Sequence, residues 1–97
     1  MAYLAVIKTT VPTNVAVYSP SGGSSAAYST CLTSGDILSS SATKLTNSDS
    51  EVTITLTLWK DKAAHDNFVN ALTTEATARD TYNTANGITI TKTTYVI

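Results

Sequence analysis

Charged side chains are scarce in this chain: they make up 13% of its 97 residues, and the formal net charge is −1. Lysine and arginine form no cluster, so neither nucleic acid nor an anionic membrane surface is expected as a partner. The apolar runs are far shorter than the roughly 20 residues that span a bilayer. The first residues also lack the basic and apolar regions of a signal peptide, so we predict a cytoplasmic location.

Cysteine is nearly absent, because Cys31 is the only one, which excludes an internal disulfide and fits a reducing compartment. Cys31 has no basic neighbour in the sequence, so we expect a small buried apolar side chain rather than a nucleophile. Histidine, cysteine and carboxylates show no metal-ligand spacing, and Gly22-Gly23 lacks the Lys-Ser/Thr of a phosphate-binding loop. We therefore expect no metal, no cofactor and no catalytic residue that a motif would reveal.

The composition that remains is that of one small folded domain, residues 1–97, with 42% hydrophobic residues. Its clearest element is a strand that ends at Trp59. Four aliphatic residues alternate there with three threonines and the tryptophan, so the strand has one aliphatic face. We expect the aliphatic residues to face the helices and the other four to face away; the two sets are Val52, Ile54, Leu56, Leu58 and Thr53, Thr55, Thr57, Trp59.

A long helical segment follows this strand. Asp61 is placed to cap its start, because a carboxylate accepts from the free N–H groups of a first turn. Thr73-Thr74 predict a break or kink, since β-branched residues are weak helix formers, and Gly87 predicts the end. The predicted buried stripe follows three- and four-residue spacings and consists of Ala64, Phe68, Ala71, Ala78, Tyr82 and Ala85.

The first half of the chain begins with a segment, Ala2–Thr10, that is apolar on both faces, which predicts a central strand ended by Pro12. Ser19–Ser24 has the composition of a loop. A short helix through Ser34 is expected next, capped by Ser24 or Ser25, with Tyr28, Cys31 and Leu32 on its buried stripe and Gly35 after its end.

The next segment, Asp36–Leu45, is polar enough for an edge strand, and Asn47–Ser50 has turn chemistry that predicts a hairpin with the following strand. With the closing strand Ile88–Ile97, the order becomes β, α, β, β, α, β. This order predicts an α+β, ferredoxin-like βαββαβ domain with an antiparallel sheet, whose first and third strands lie in the centre and whose helices cover one face.

Two stretches carry a resemblance to known proteins. The run ITLTLWKDKAAHDNFVNAL resembles the strand, tryptophan, acidic corner and helix of dimeric α+β barrel proteins, the group that includes antibiotic-biosynthesis monooxygenases, and TITKTTYVI resembles their final strand. Pro12, Asn14 and the pattern from Tyr82-Asn83 to Asn86-Gly87-Ile88 are similar to small marine and phage-encoded ferredoxin-like proteins of no assigned function.

The resemblance implies a homodimer in which the helix-free sheet faces pack together and enclose a cavity. In oxygenase and haem-degrading members, a tryptophan on the third strand, a histidine on the second helix and an asparagine on the first strand mark the active pocket. Trp59 matches the tryptophan. His65 lies earlier than the family's histidine, whose position holds Phe68, and the first strand has no asparagine, so the set is incomplete.

Three residues are therefore the ligand-binding candidates, each weighed against a structural role. Trp59 is expected to pack at the edge of the core more readily than to stack on a ligand. His65 is expected to be partly exposed in the first helical turns. Arg79 has the spacing for a surface ion pair with Glu75, which itself either marks the kink or points into a pocket.

The favoured function is a homodimeric protein with a binding or assembly role in a viral context, with itself as partner and an unidentified small-molecule ligand. The alternative is a cofactor-independent, monooxygenase-like enzyme that uses the barrel cavity. What lines the cavity separates the two, because an enzyme needs titratable groups that converge on a pocket.

Replacing Phe68 with alanine tests the predicted helix phase. A phenylalanine buried under the sheet should cost roughly 3–5 kcal/mol of unfolding free energy when truncated to alanine. Urea denaturation measures this loss, and a loss below about 1 kcal/mol would mean that the phase is wrong.

Overall fold

Two central strands organise the sheet of this protein. The computed structural model describes residues 1–18 and 23–97. Its four-stranded antiparallel sheet has the order β2-β3-β1-β4, so the first and third strands lie in the centre, as predicted. The elements are β1 (Tyr3–Pro12), α1 (Gly23–Ser34), β2 (Ile37–Thr46), β3 (Ser50–Trp59), α2 (Lys62–Ala71), α3 (Thr73–Asn86) and β4 (Thr89–Val96).

The hairpin between β2 and β3 confirms the predicted turn. The side-chain oxygen of Asn47 accepts hydrogen bonds from the backbone N–H groups of Asp49 and Ser50, each at 2.8 Å. The backbone N–H of Asn47 also donates to the Ser50 carbonyl at 3.0 Å. Strand β2 lies at the edge of the sheet, and its residues beyond Ile37 are exposed, as its polar sequence predicts.

The first half of the chain differs in two details from the prediction. Strand β1 continues through Pro12, which pairs with Ser50 at the last position of the ladder, where a missing N–H is tolerated. Helix α1 begins at Gly23, so Ser24 and Ser25 lie inside it rather than before it. The predicted Ser19–Ser24 loop falls largely on residues 19–22, which lie outside the described residues.

The helical segment is broken, capped and ended where the sequence predicts. The Asp61 carboxylate accepts a hydrogen bond from the Ala64 N–H at 2.8 Å and caps α2. The segment breaks at Leu72, which separates α2 from α3. Gly87 ends α3 with φ of 70°, in the left-handed region that a residue with a Cβ rarely adopts.

The predicted stripe holds for Ala64 and Phe68 of α2 and for Tyr82 of α3, and it is wrong for the other three alanines. Ala64 is buried and Phe68 packs against the core, but Ala71, Ala78 and Ala85 are exposed. Leu72 stands between the two helices with φ of −115° and ψ of 26°, so a single helical phase cannot continue through it. The sheet-facing side of α3 is instead marked by Glu75, Ala76, Arg79 and Asn83.

The two faces of β3 are the reverse of the prediction. Thr57 and Trp59 are buried, and the core on the helix side consists of Tyr3, Ala5, Ile37, Trp59 and Ala64, with Tyr28, Cys31 and Phe68 packed against it. The Tyr28 hydroxyl hydrogen-bonds the Thr57 hydroxyl at 3.1 Å, so this threonine is satisfied under the helices. Because side chains alternate along a strand, the aliphatic set that contains Leu56 lies on the helix-free face.

The architecture is α+β, with an open four-stranded antiparallel sheet and three helices, and it is compatible with a ferredoxin-like layout. Tyr28 of α1 and Phe68 of α2 both pack on the same side of the sheet, while residues of α3 face the same side across a cavity. Within residues 1–18 and 23–97, no helix is long and apolar enough to cross a membrane.

Loss of the Asp61 cap should destabilise the protein. We expect Asp61→Ala to lower the free energy of unfolding by about 1 kcal/mol, because the Ala64 N–H loses its acceptor. Chemical denaturation measures the change. Asp80→Ala is the matched control, since its exposed carboxylate contacts only Arg79 at 3.4 Å and should have little effect. Equal losses in both variants would contradict the role of the cap.

Candidate functional site

An open cavity of about 760 Å³ lies between the sheet and the helices. Strands β1 and β4 form its floor, α2 and α3 form its walls, and Val17 and Tyr18, which follow β1, close one side. Its apolar lining residues include Ile7, Phe68, Val69, Leu72, Ile88 and Ile90. The size and largely apolar lining are typical of small-molecule sites, which are concave and carry few polar groups.

Four side chains that carry a charge or an amide interrupt this apolar lining: Glu75, Arg79, Asn83 and Lys92. Asn83 is buried, at 7% exposure, and lines the cavity. Lys92 is reached by water through the cavity, yet the surrounding protein still lowers the pKa of its ammonium by desolvation. The nearby charge of Arg79 lowers the pKa of Lys92 further, whereas Asp66 opposes the shift.

A chain of three side chains ends at the floor of the cavity. Asp66 Oδ1 lies 2.9 Å from His65 Nδ1, and His65 Nε2 lies 2.7 Å from Lys92 Nζ. A carboxylate only accepts, so Nδ1 carries the proton and Nε2 accepts from the Lys92 ammonium when the imidazole is neutral. The arrangement therefore joins a carboxylate, an imidazole and an amine in one hydrogen-bonded chain.

His65 is held in this position by packing. It is 7% exposed, which makes the expectation of a partly exposed histidine wrong. The ring centroids of Tyr3 and Trp59 lie 5.0 Å and 5.7 Å from that of His65, and the Trp59 and His65 rings are nearly perpendicular. Asp66 is fixed in turn by Lys62, whose Nζ lies 2.5 Å from Oδ2, and this hydrogen bond lowers the pKa of Asp66 more than the bond with His65 does.

The side of the cavity next to α1 depends on two tyrosines. The Tyr82 hydroxyl donates to the Ala16 carbonyl at 2.6 Å, and the Tyr18 and Tyr82 rings lie 5.3 Å apart. These contacts attach the segment after β1 to α3, so Val17 and Tyr18 line the cavity. Tyr28 of α1 lines the cavity as well, while its hydroxyl group hydrogen-bonds the hydroxyl groups of Ser40 and Thr57 in the sheet.

The structure brings two of the three candidate residues together. Trp59 and His65 pack edge to face in the core layer, and neither lines the cavity. Arg79 does line the cavity, but its predicted ion pair with Glu75 is replaced by a 3.4 Å contact with Asp80. Glu75 was expected either to mark the kink or to point into a pocket. It does both, since it lies in the first turn after the break and lines the cavity.

Lys92 and Asp66 were missed from the sequence. Lys92 follows Ile88 and Ile90 at two-residue intervals, so the alternation of β4 places all three on the helix side. The charge of Lys92 next to Ile88 and Ile90 was the signal from which the sequence could have predicted this residue. Asp66 gave no comparable signal, because its role depends on the orientation of the neighbouring His65, which only the packing determines.

Other reactive side chains lie apart from this arrangement. Cys31 is half-buried, and burial together with the charge of Asp36 raises the pKa of its thiol, so the unreactive thiol form is favoured. Among the described residues, no group of three or more histidines, cysteines and carboxylates is placed to hold a metal ion.

No family model matches the chain, and no significant match was found among curated proteins or solved structures. The resemblance to dimeric α+β barrel proteins and to small marine and phage-encoded proteins therefore stays a prediction. The cavity and the residues around it are therefore the features of this protein that point to its function.

Removal of the Asp66 carboxylate should change the tautomer of His65. In the parent protein, long-range ¹H–¹⁵N NMR spectra should show a protonated Nδ1 and an unprotonated Nε2 on a neutral imidazole. In Asp66→Ala we expect a mixture of both tautomers, because Nδ1 loses its acceptor. Lys62→Ala is the control: it removes the other partner of Asp66 and should keep the Nδ1–H form. An unchanged spectrum in Asp66→Ala would contradict the proposed contact.

Proposed function

We propose that this protein is a homodimeric binding protein that holds a small amphipathic anion in the cavity between its sheet and helices. One observation carries the proposal: an apolar cavity of ligand size presents two cationic side chains, Arg79 and Lys92, together with the buried amide of Asn83. A few polar side chains placed on an apolar wall fix the orientation of the polar group of a ligand.

The chemistry of the lining selects the class of ligand. Arg79 and Lys92 exceed the single carboxylate, Glu75, by one positive charge, so an anionic group is favoured at this end of the cavity. The apolar side chains elsewhere on the walls require a hydrocarbon body. We therefore propose a carboxylate that carries an alkyl or aryl chain.

The dimer would form through the helix-free face of the sheet. Leu4 and Val6 of β1 pair there with Leu58 and Leu56 of β3, and Leu4 also pairs with Tyr95 of β4. Leu56 and Tyr95 are 37% and 52% exposed, which leaves apolar side chains in contact with water. A sheet with one apolar face is stable when another element covers it, and the described helices all lie on the opposite side.

A second copy of this chain is the occupant that fits this face. Lys8 is the only charged residue at the helix-free positions of the four strands, so the face offers little to a charged partner. Strands of ten residues and four strands across give about 500–600 Å² of flat area. The side chains that project from the sheet add to this flat area. The total approaches the area of about 800 Å² per partner that a stable interface buries.

The monooxygenase-like enzyme is the second candidate, and the chain of Asp66, His65 and Lys92 favours it because it can move a proton at the cavity floor. Against it, Trp59 is 3% exposed and does not face the cavity, so the family's tryptophan could not stack on a ligand there. Binding therefore explains more of the site than oxygen chemistry does.

Ligand binding is tested by calorimetric titration with octanoate. We expect octanoate to bind and 1-octanol, which lacks the carboxylate, to bind at least about tenfold more weakly, since a charge-assisted hydrogen bond contributes roughly 1.5–3 kcal/mol. Arg79→Gln should weaken octanoate binding about tenfold for the same reason. Lys44→Gln, on the exposed edge strand, is the control and should bind as the parent does.

Two outcomes would redirect this proposal. Equal affinity for octanoate and octanol, or no binding of either, would contradict an anion site. Haem added in the same experiment tests the enzyme alternative: a stable haem complex with a shifted absorption band would favour that candidate over simple binding.

The dimer is tested by light scattering. We expect the parent protein to have twice the mass of the chain, and Leu56→Lys to be a monomer, because it places a charge at the centre of the proposed interface. Leu32→Lys is the control, since Leu32 is similarly exposed, at 45%, on α1. A parent monomer, or a dimer that Leu56→Lys leaves intact, would exclude this interface.

A further inference from the structure

The amine of Lys92 differs from those of Lys44, Lys60 and Lys62 in what it contacts. Lys44, Lys60 and Lys62 each lie within 3.5 Å of a carboxylate, which favours the charged ammonium. Lys92 instead meets a nitrogen of His65 at 2.7 Å and faces the cavity together with Arg79. An amine that is desolvated, placed near a second cation and in contact with a base has the environment of a nucleophilic lysine.

We propose that Lys92 is a covalent attachment site, which condenses with the aldehyde group of an apolar ligand in the cavity and forms an imine. The inference depends on the proposed function only in using the same cavity. It names a reactive group that simple anion binding does not need, and it uses the contact between His65 and Lys92 that binding leaves unexplained.

The geometry supplies each proton transfer of this reaction. His65 Nε2 takes a proton from the Lys92 ammonium, and Asp66 stabilises the imidazolium through Nδ1–H. The free amine attacks the aldehyde carbon, so that a C–N bond forms and the carbonyl electron pair moves to oxygen. The imidazolium protonates this oxygen, and the neutral imidazole then takes the extra proton from the attacking nitrogen, which gives the carbinolamine and restores the imidazolium. The imidazolium returns its proton to the hydroxyl of the carbinolamine, which leaves as water while the nitrogen electron pair forms the C=N bond. No oxidant or reductant is required.

The surroundings of Lys92 favour this amine over its competitors. Desolvation and Arg79 lower the pKa of Lys92, whereas the hydrogen bonds with Asp36 and Asp66 raise the pKa of Lys60 and Lys62. A larger fraction of Lys92 is therefore uncharged near neutral pH than of Lys60 or Lys62. The apolar walls beside it, including Ile7, Phe68 and Ile90, would hold the hydrocarbon part of the aldehyde.

The test is reductive trapping of the imine. The protein is incubated with octanal and sodium cyanoborohydride, which reduces an imine to a stable amine, and the modified residue is found by peptide mass spectrometry. We expect Lys92 to be labelled at least about tenfold faster than Lys44 or Lys60. Labelling that is spread evenly over the lysines, or confined to the exposed amine of Met1, would overturn the proposal.

Two variants separate positioning from simple exposure. His65→Gln should slow the labelling of Lys92 about tenfold and leave labelling at Met1 unchanged, because only Lys92 loses its base. Lys44→Gln should leave the Lys92 rate unchanged. Circular dichroism checks that each variant folds. If His65→Gln does not fold, Asp66→Ala replaces it: this variant should slow labelling at Lys92 and not at Met1, because the imidazolium loses its partner. An unchanged Lys92 rate would overturn the proposal.

The calorimetric titration keeps this proposal distinct from the proposed function. Octanoate that binds while octanal leaves Lys92 unlabelled would overturn the imine and keep the anion site. Rapid labelling of Lys92 without measurable octanoate binding would contradict the anion site and keep the reactive amine.

Discussion

The packing of Trp59 against α2 is the contact on which the rest of the structure depends. The Trp59 and Phe68 rings lie 5.1 Å apart, and His65 approaches the same indole at its edge. Aromatic side chains bury large areas, so this layer supplies much of the apolar contact between the sheet and the helix. Asp61 begins the helix only two residues after Trp59, which leaves the strand and the helix little freedom to pack in any other way.

The same layer determines the chemistry of the cavity. A histidine in the first turn of a surface helix would ordinarily face water, but here Tyr3 and Trp59 enclose it and orient its ring. One ring nitrogen then meets Asp66 and the other meets Lys92, so the packing of the ring aligns a chain of hydrogen bonds. The core and the candidate site therefore share His65, and a substitution there changes both stability and reactivity.

Much of the fold could be predicted from local patterns, whereas the site could not. The Asp61 cap, the turn at Asn47, the break near Thr73 and the end at Gly87 depend on neighbouring residues, and each was predictable. The faces of β3 were assigned wrongly, because aliphatic residues were expected in the core. The protein instead buries Thr57 with a hydrogen bond from Tyr28, a contact between residues 29 positions apart that no periodicity reveals. The change of helical phase at Leu72 is not revealed by periodicity either, and it places Arg79 and Asn83 at the cavity.

The break at Leu72 divides the site between two helices that have different structural roles. Helix α2 carries His65 and Asp66 and packs into the core through Ala64, whereas α3 contributes Arg79 and Asn83 and no member of the core cluster. Residues of α3 can therefore change with little effect on folding, while those of α2 cannot. Ligand preference in such a protein can diverge along α3 while α2 and β4 preserve His65, Asp66 and Lys92, so the selectivity of this cavity and the hydrogen-bonded chain at its floor can evolve separately.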